Sequence, residues 1–255
     1  DIGYSIAADA VGNIYLTGST SSTNFPFQSW GSAYFDNTRG GLTDAFIARF
    51  SATGNLDWAS YYGGSGIENM MSYNNVITDT CGSIYFSFNT RSSDIQTVDA
   101  GCGSYYDGTY GGGTSYGDIF LIEFSRTGQL LWATYIGDSQ DDFRNPLTID
   151  ADKNLYLCGE WTNYTFGSSL PVMDPGGGAY FDTIPNGKDD SFIMKFVPVK
   201  PAFTQTQVNA SCTCNGSATV NITMPCSTPP FSYIWSNGNS TLNTTNPGCT
   251  INNLC

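Results

Sequence analysis

The sequence contains no histidine among its 255 residues. Serine and cysteine nucleophiles paired with imidazole are therefore excluded. Basic residues are scarce, nine Lys plus Arg against twenty-two Asp plus Glu, which gives a formal charge of −13. That balance disfavours nucleic acid and anionic membrane surfaces and leaves neutral, cationic or metal-bridged partners. No apolar run reaches the roughly 18 residues of a membrane-spanning helix, so direct membrane insertion is not expected, and a secretion signal, if the chain is exported, lies upstream. No two of the eight cysteines stand in Cys-x-x-Cys spacing, which, with histidine absent, sets zinc aside. Charged residues disappear altogether between 206 and 255.

What is present is repetition. Asp44 to Phe50 (DAFIARF), Asp118 to Phe124 (DIFLIEF) and Asp190 to Phe196 (DSFIMKF) recur at spacings of 74 and 72 residues. Asn13-Ile14-Tyr15, Ser83-Ile84-Tyr85 and Asn154-Leu155-Tyr156 keep the same rhythm at 70 and 71, so the length variation falls in loops. Each unit reads as short strands rather than helices: a strand over Ser5 to Asp9, a Gly/Asn turn, a strand over Ile14 to Thr17, a long Gly/Ser/Asn-rich excursion, a strand over Ala45 to Phe50, the turn Thr53-Gly54, and a strand over Leu56 to Tyr61. Four antiparallel strands make one propeller blade. Trp58 and Trp132 stand at equivalent places in the fourth strand, and a ring that buries about 150–250 Å² is what the wedge between twisted sheets needs, so packing is their predicted role.

The third unit departs from the pattern. After Phe196, where Gly-x-Leu-x-Trp is due, stands Val197-Pro198-Val199-Lys200-Pro201, whose prolines cannot join a central ladder. Three blades also fall short of the four to eight of a closed ring. The expectation is a piece of a longer polypeptide, with a closing strand supplied from upstream of Asp1.

The pattern Asp9-x-x-Gly12-Asn13-Ile14-Tyr15-x-x-Gly18-x-Thr20, followed by Asn24-Phe25-Pro26, Asp44-Ala45-Phe46, Gly54-x-Leu56-x-Trp58 and Tyr62-Gly63-Gly64, resembles the bacterial seven-bladed β-propeller repeat called SBBP. The resemblance covers residues 1 to 198 and weakens in the third unit, where Cys158-Gly159-Glu160-Trp161 replaces Thr-Gly-x-Thr. It implies a secreted propeller and no particular reaction. From 206 to 255 the composition turns to Thr, Asn and Ser, with five of the eight cysteines. Cys214-Asn215-Gly216, Pro230-Phe231-Ser232-Tyr233-Ile234-Trp235-Ser236-Asn237-Gly238 and Asn253-Leu254 resemble the SprB-type repeat of large surface adhesins of gliding Bacteroidetes, an immunoglobulin-like β module. The expected fold class is thus all-β: a partial propeller of about three four-stranded blades over 1–198, a Pro-containing linker over 199–205, and an incomplete immunoglobulin-like sandwich module over 206–255.

Candidate chemistry is sparse. Cys81 and Cys102 are placed to bridge within the second unit, and Cys212, Cys214, Cys226, Cys249 and Cys255 form an odd set whose connectivity the sequence leaves open. Cys158 sits where Thr17 and Ser87 sit, which predicts a small buried strand residue. Asp150, Asp152 and Asn154 have the Asp-x-Asp-x-Asn opening of a calcium loop. Asp9 to Asn13 and Asp79 to Ser83 place a turn at the same point, and a turn is the stronger reading because Asp and Asn bond their own backbone; calcium is the one cofactor left in view. Asp138, Asp141, Asp142 and the pair Asp189 and Asp190 read as solvated loop charges. No spacing nominates a glycosidase carboxylate pair, and the Thr-Gly-x-x-x-Trp element resembles the docking motif of quinone-cofactor propellers without their other signatures.

The long loops carry many aromatics. Trp30, Tyr110, Tyr116, Trp161 and Tyr164 are the ligand candidates, because rings of this kind stack on sugars and anchor protein contacts. Folding back to cap the blades is the competing role, and the recurrence of Tyr34-Phe35-Asp36, Tyr105-Tyr106-Asp107 and Tyr180-Phe181-Asp182 favours it for those positions. The sequence reading is a non-catalytic binding or structural segment of a large secreted or cell-surface adhesin, exported by the type 9 route and serving attachment or gliding as the resemblance implies. Its expected partners are the rest of its own polypeptide and a surface polysaccharide or protein. The alternative is a self-assembling filament or sheath subunit, and a carbohydrate-active or quinone-dependent enzyme ranks third.

Overall fold

The computed structural model describes residues 1–69, 75–101, 103–162, 174, 176, 178, 189–197, 203–208, 216–222, 231–234, 240–244 and 248–254. Among them every regular element is a strand. The first blade is a four-stranded antiparallel sheet in chain order: β1 (Ile2–Ala8), β2 (Ile14–Thr20), β3 (Asp44–Phe50) and β4 (Leu56–Tyr62). The second repeats it with β7 (Ile84–Thr90), β8 (Asp118–Phe124) and β9 (Leu130–Ile136), but its inner strand comes in two pieces, β5 (Glu68–Asn69) and β6 (Asn75–Thr78), both paired to β7. The third pairs β10 (Asp142–Phe143) and β11 (Leu147–Ile149) with β12 (Leu155–Thr162), and β12 with β13 (Asp189–Phe196). Between β10 and β11 stand Arg144, at φ 61, and Pro146, which has no N–H to donate, and together they interrupt the ladder.

Pairing runs where the side-chain alternation places it. Ile14 lies opposite Phe50 and Leu16 opposite Ala48, so period-2 sorting gives each blade two apolar faces, as a stack of sheets requires. One face of blade 1 (Tyr15, Ala45, Ile47, Trp58, Tyr62) joins one face of blade 2 (Val76, Ile84, Phe86, Phe88, Phe120, Ile122, Phe124, Tyr135) in the largest core cluster. The other face of blade 2 (Tyr85, Ile119, Leu121, Trp132, Ile136) packs on Leu147, Leu155 and Leu157, with Phe192, Met194 and Phe196 against them. The third cluster belongs to blade 1 alone: Phe25 and Phe27, from the Asn-Phe-Pro loop, lie on Phe46, Ala59 and Tyr61.

The architecture is therefore all-β with propeller-like blades, and among the described residues no strand follows β13 on its outer edge. Cys158 corrects the sequence reading, since it is exposed where Thr17 and Ser87 are buried. Among the described residues no blade covers its side of blade 3. The chain divides into two compact units, the first Asp1–Ala100 with Tyr105–Pro198 and the second Gly101–Ser104 with Val199–Cys255. That unit holds a sheet of β14 (Phe203–Val208), β15 (Gly216–Ile222) and β18 (Gly248–Leu254), and a hairpin of β16 (Phe231–Ile234) and β17 (Ser240–Thr244). Its first strand begins at Phe203, inside the stretch read from sequence as linker.

Candidate functional site

The long loop of each blade returns to the outer strand. In blade 1 the Trp58 indole N–H donates to the Tyr34 carbonyl at 2.7 Å, the Asp36 N–H donates to Ser60 Oγ at 2.8 Å, and the Tyr61 N–H donates to the Asp36 carbonyl at 3.0 Å. Blade 2 repeats the set: Trp132 to the Tyr105 carbonyl at 2.9 Å, Asp107 N–H to Thr134 Oγ1 at 2.8 Å, and Tyr135 N–H to the Asp107 carbonyl at 3.0 Å. Each indole also meets the next blade edge-on, Trp58 on Phe124 at 5.2 Å and Trp132 on Phe196 at 5.4 Å. A hydroxyl at the position of Ser60 and Thr134 is needed because the returning backbone requires a partner once water is excluded.

Four of the aromatics proposed as ligand contacts are occupied within the fold. Trp30 lies under the Arg49 guanidinium, 4.2 Å from its ring centre, and Arg49 in turn pairs with Asp57. Tyr110 packs on Tyr135 and donates to the Gly113 carbonyl at 3.2 Å. Tyr116 stacks on Phe143 at 4.6 Å. Trp161 is buried, with its indole N–H on Asp138 Oδ2 at 2.9 Å. Among the described residues no ring contact joins any two of these four. Tyr164 lies outside the described residues.

The Asp-x-Asp-x-Asn loop forms a turn. Asp150 accepts the Asn154 N–H at 2.8 Å, Asn154 Nδ2 at 2.7 Å and the Tyr156 hydroxyl at 3.0 Å. Asp9 accepts the same set from Asn13 and Tyr15. These bonds hold both carboxyls below the usual range, in Asp9 against the opposing effect of burial. The turn needs a left-handed residue, which Gly12 (φ 85) and Gly82 (φ 86) supply freely and Lys153 (φ 65) supplies under strain. Asp152 is exposed, and among the described residues no group of three or more acidic, Cys or His side chains is arranged to hold a metal ion.

Cys81 overturns the expected bridge to Cys102. It is a free thiol, beside the Lys153 amino group, which also stands 3.6 Å from Asp79. Cys102, Cys212, Cys214, Cys226 and Cys255 fall outside the described residues; Cys249 lies in β18.

The largest departure from the sequence reading is among the acids. Asp44 and Glu68 converge over Gly63, where an added Cβ would stand 2.8 Å from Asp44 Cγ and 2.5 Å from Glu68 Oε2. Asp118 and Asp142 converge in the same way over Gly137, at 2.7 Å from Asp118 Cγ and 2.8 Å from Asp142 Oδ2. Both members are displaced by 74 residues, so each blade junction holds one buried carboxyl pair. At the first junction Glu68 Oε1 accepts the Thr90 hydroxyl at 2.9 Å and the Ser92 hydroxyl at 2.6 Å. At the second, Trp161 stands where Thr90 stood and turns its N–H to Asp138, and Oδ1 of both Asp118 and Asp142 has no hydrogen-bond partner. Burial pushes Glu68 and Asp118 up to about 7 and Asp142 up to about 8. Asp141, next in sequence, behaves in the opposite way. Against the effect of burial, the Ser115, Tyr116 and Gly117 N–H groups on its Oδ1, at 2.8 to 2.9 Å, hold it below the usual range.

Asp141 and Asp142 are thus not solvated loop charges. One clamps a loop and the other is 0% exposed. The matched spacing from Asp44 to Asp118 and from Glu68 to Asp142 is the sequence signal that marks them. A carboxyl pair titrating near neutrality has the acidity of a general acid, but Asp118 is only 1% exposed and its partner 0%, which closes it to a substrate.

A family model described as a beta-propeller repeat, SBBP, matches residues 1–26. That stretch is β1, the Asp9 turn, β2 and the start of the first long loop, including the Phe25 that covers blade 1. No curated protein matches the chain.

Proposed function

We propose that this β-propeller-repeat chain is a non-catalytic structural and binding segment of a large secreted or cell-surface adhesin, a rigid stack of blades followed by an immunoglobulin-like module of the SprB type. The observation that carries this reading is the repetition of internal duty. The same residue types latch the loop, cap the turn and fill the junction in successive blades, and four of the ligand candidates are drawn into the fold. Repeated scaffolding of this kind suits display better than chemistry, in which a single blade would carry a special set of groups. Absent histidine and a charge of −13 fit an extracellular role in attachment through neutral or cationic partners, with no nucleic acid and no cofactor. The ligand is a surface polysaccharide or protein, met by loop residues that the blades leave free.

The test is an immunoblot of source cells with antibody against residues 206–255, with and without protease added outside. A band far above 27.5 kDa that disappears on external proteolysis supports the reading. A protected band near that mass overturns it and returns a self-contained periplasmic protein or enzyme to first place.

A further inference from the structure

The two blade junctions share one acidic frame and close it differently. At the first, Asp44 accepts the Gly40 and Gly41 N–H groups at 2.8 and 3.0 Å, one on each oxygen, and Glu68 accepts the Thr90 and Ser92 hydroxyls on Oε1 and the Gly64 N–H at 3.2 Å on Oε2. All four carboxyl oxygens are partnered there, and the Arg39 guanidinium adds positive charge near Asp44. At the second, Asp118 Oδ2 accepts the Gly111 N–H at 2.7 Å and Asp142 Oδ2 accepts the Asp138 N–H at 2.9 Å. Oδ1 of each, in residues 1% and 0% exposed, accepts nothing. The charges that act most strongly on this pair from outside it, those of Asp107, Asp138 and Asp141, are all negative. Among the described residues no basic side chain forms an ion pair with either acid.

Gly137 leaves the room in which the two acids meet. Asp118 Oδ1 stands 2.9 Å, and Asp142 Oδ2 2.8 Å, from where a Cβ would be. The frame around them is held by uncharged groups: Asn89 Nδ2 donates to the backbone carbonyls of both Asp118 and Asp142, and Asn89 Oδ1 accepts from Asn145 Nδ2 at 3.1 Å. Two carboxyls are thus brought together by neutral bonds, with one oxygen of each left over. Buried charge persists when it is paired or bound to a metal.

We propose that the junction between blades 2 and 3 binds one divalent cation of the calcium class, with the unpartnered Oδ1 atoms of Asp118 and Asp142 as its anionic ligands. Two carboxylates balance a dication, and oxygen donors without thiolate or imidazole select a hard ion, whose shell neutral oxygens complete. The Asp150 turn differs at this point, since Asn154 and Tyr156 occupy both of its carboxyl oxygens. One ligand stands on β8 and the other on β10, so the ion bolts blade 2 to blade 3. Both acids are closed to solvent, and the ion therefore enters as the blades assemble. In cation-free buffer protons have the two oxygens to themselves. The site stands whether or not the chain is an adhesin.

The test refolds the full chain from urea in chelator-treated, mildly alkaline buffer with calcium, magnesium or sodium chloride at matched ionic strength. It reads the thermal midpoint and the calcium bound per chain in equilibrium dialysis. Wild type is expected to gain stability saturably with calcium, less with magnesium and not with sodium. Asp118→Asn and Asp142→Asn should each bind calcium more weakly by about tenfold or more, whereas Asp150→Asn and Glu68→Gln keep the wild-type response. Should one junction variant fail to fold, the other carries the comparison. Wild type that neither binds calcium nor gains stability overturns the proposal and leaves the pair to protons. A gain equal in all three salts overturns it as screening of the −13 charge. A response kept in both junction variants and lost in Asp150→Asn overturns it in favour of the turn.

Discussion

Burial raises all four junction carboxyls, so both junctions are sensitive to pH, and the second, where Asp142 lacks the threonine neighbour of Glu68, is the more strongly shifted. Asp118 and Asp142 start from 3.8 in the unfolded chain and rise to about 7 and about 8 on folding. The folded chain therefore retains protons that the unfolded chain has lost, and stability is greatest below about pH 4 with respect to this pair and falls as pH rises toward about 8. Asp142→Asn is expected to flatten that profile, raising the urea midpoint relative to wild type at about pH 8.5 and leaving it nearly unchanged at about pH 4. Parallel profiles for the two proteins would show that the pair holds no proton. Trp58 supports its blade in two ways, through the hydrogen bond to Tyr34 and through its ring on Phe124. Trp58→Ala is expected to lower unfolding free energy by about 3–5 kcal/mol, read by equilibrium denaturation. Trp58→Phe should recover most of the packing and leave the Tyr34 carbonyl unpaired, a loss of about 1–3 kcal/mol.

At the scale of the element, the turn between β9 and β10 is where backbone and carboxyl pair meet. Gly137→Ala would press a methyl group against Asp118 and Asp142, and a destabilisation of about 1–3 kcal/mol is expected in the same assay. Gly54→Ala, at a left-handed turn with open space around it, should cost less, about 1–2 kcal/mol from backbone strain alone. Equal losses at the two sites would dissociate the junction from its glycine. Most elements were legible in the sequence because alternation and repetition coincide: β3 and β8 match the repeated heptapeptide residue for residue. The split inner strands were not legible, since Glu68-Asn69 and Asp142-Phe143 are too short to show a period and are fixed only by pairing with β7 and β12. The acidic junctions were hidden for a related reason. Asp142 stands in a run of acids that reads as solvated until the preceding blade covers it, and burial of that kind is a tertiary fact.

For the whole molecule, the division into two compact units, each with its own strand pairings, predicts two unfolding transitions. Calorimetry of the full chain is expected to resolve two endotherms, and a chain ended at Pro198 to retain the larger one within a few degrees. A single cooperative endotherm would join the units. The blades themselves should unfold together, since each indole is wedged against its neighbour. The loop return has a practical consequence. Asp36 and Asp107 fix the chain to the outer strand just before Asn37-Thr38 and Gly108-Thr109, and Gly40 and Gly111 are fixed again by Asp44 and Asp118. Each exposed bend is thus a short span with both ends moored. Foreign peptide grafted between Thr38 and Arg39, or between Gly108 and Thr109, would lengthen only that span, at about 0.6 kcal/mol for each doubling, so the two bends are ports at which the stack accepts cargo without being taken apart.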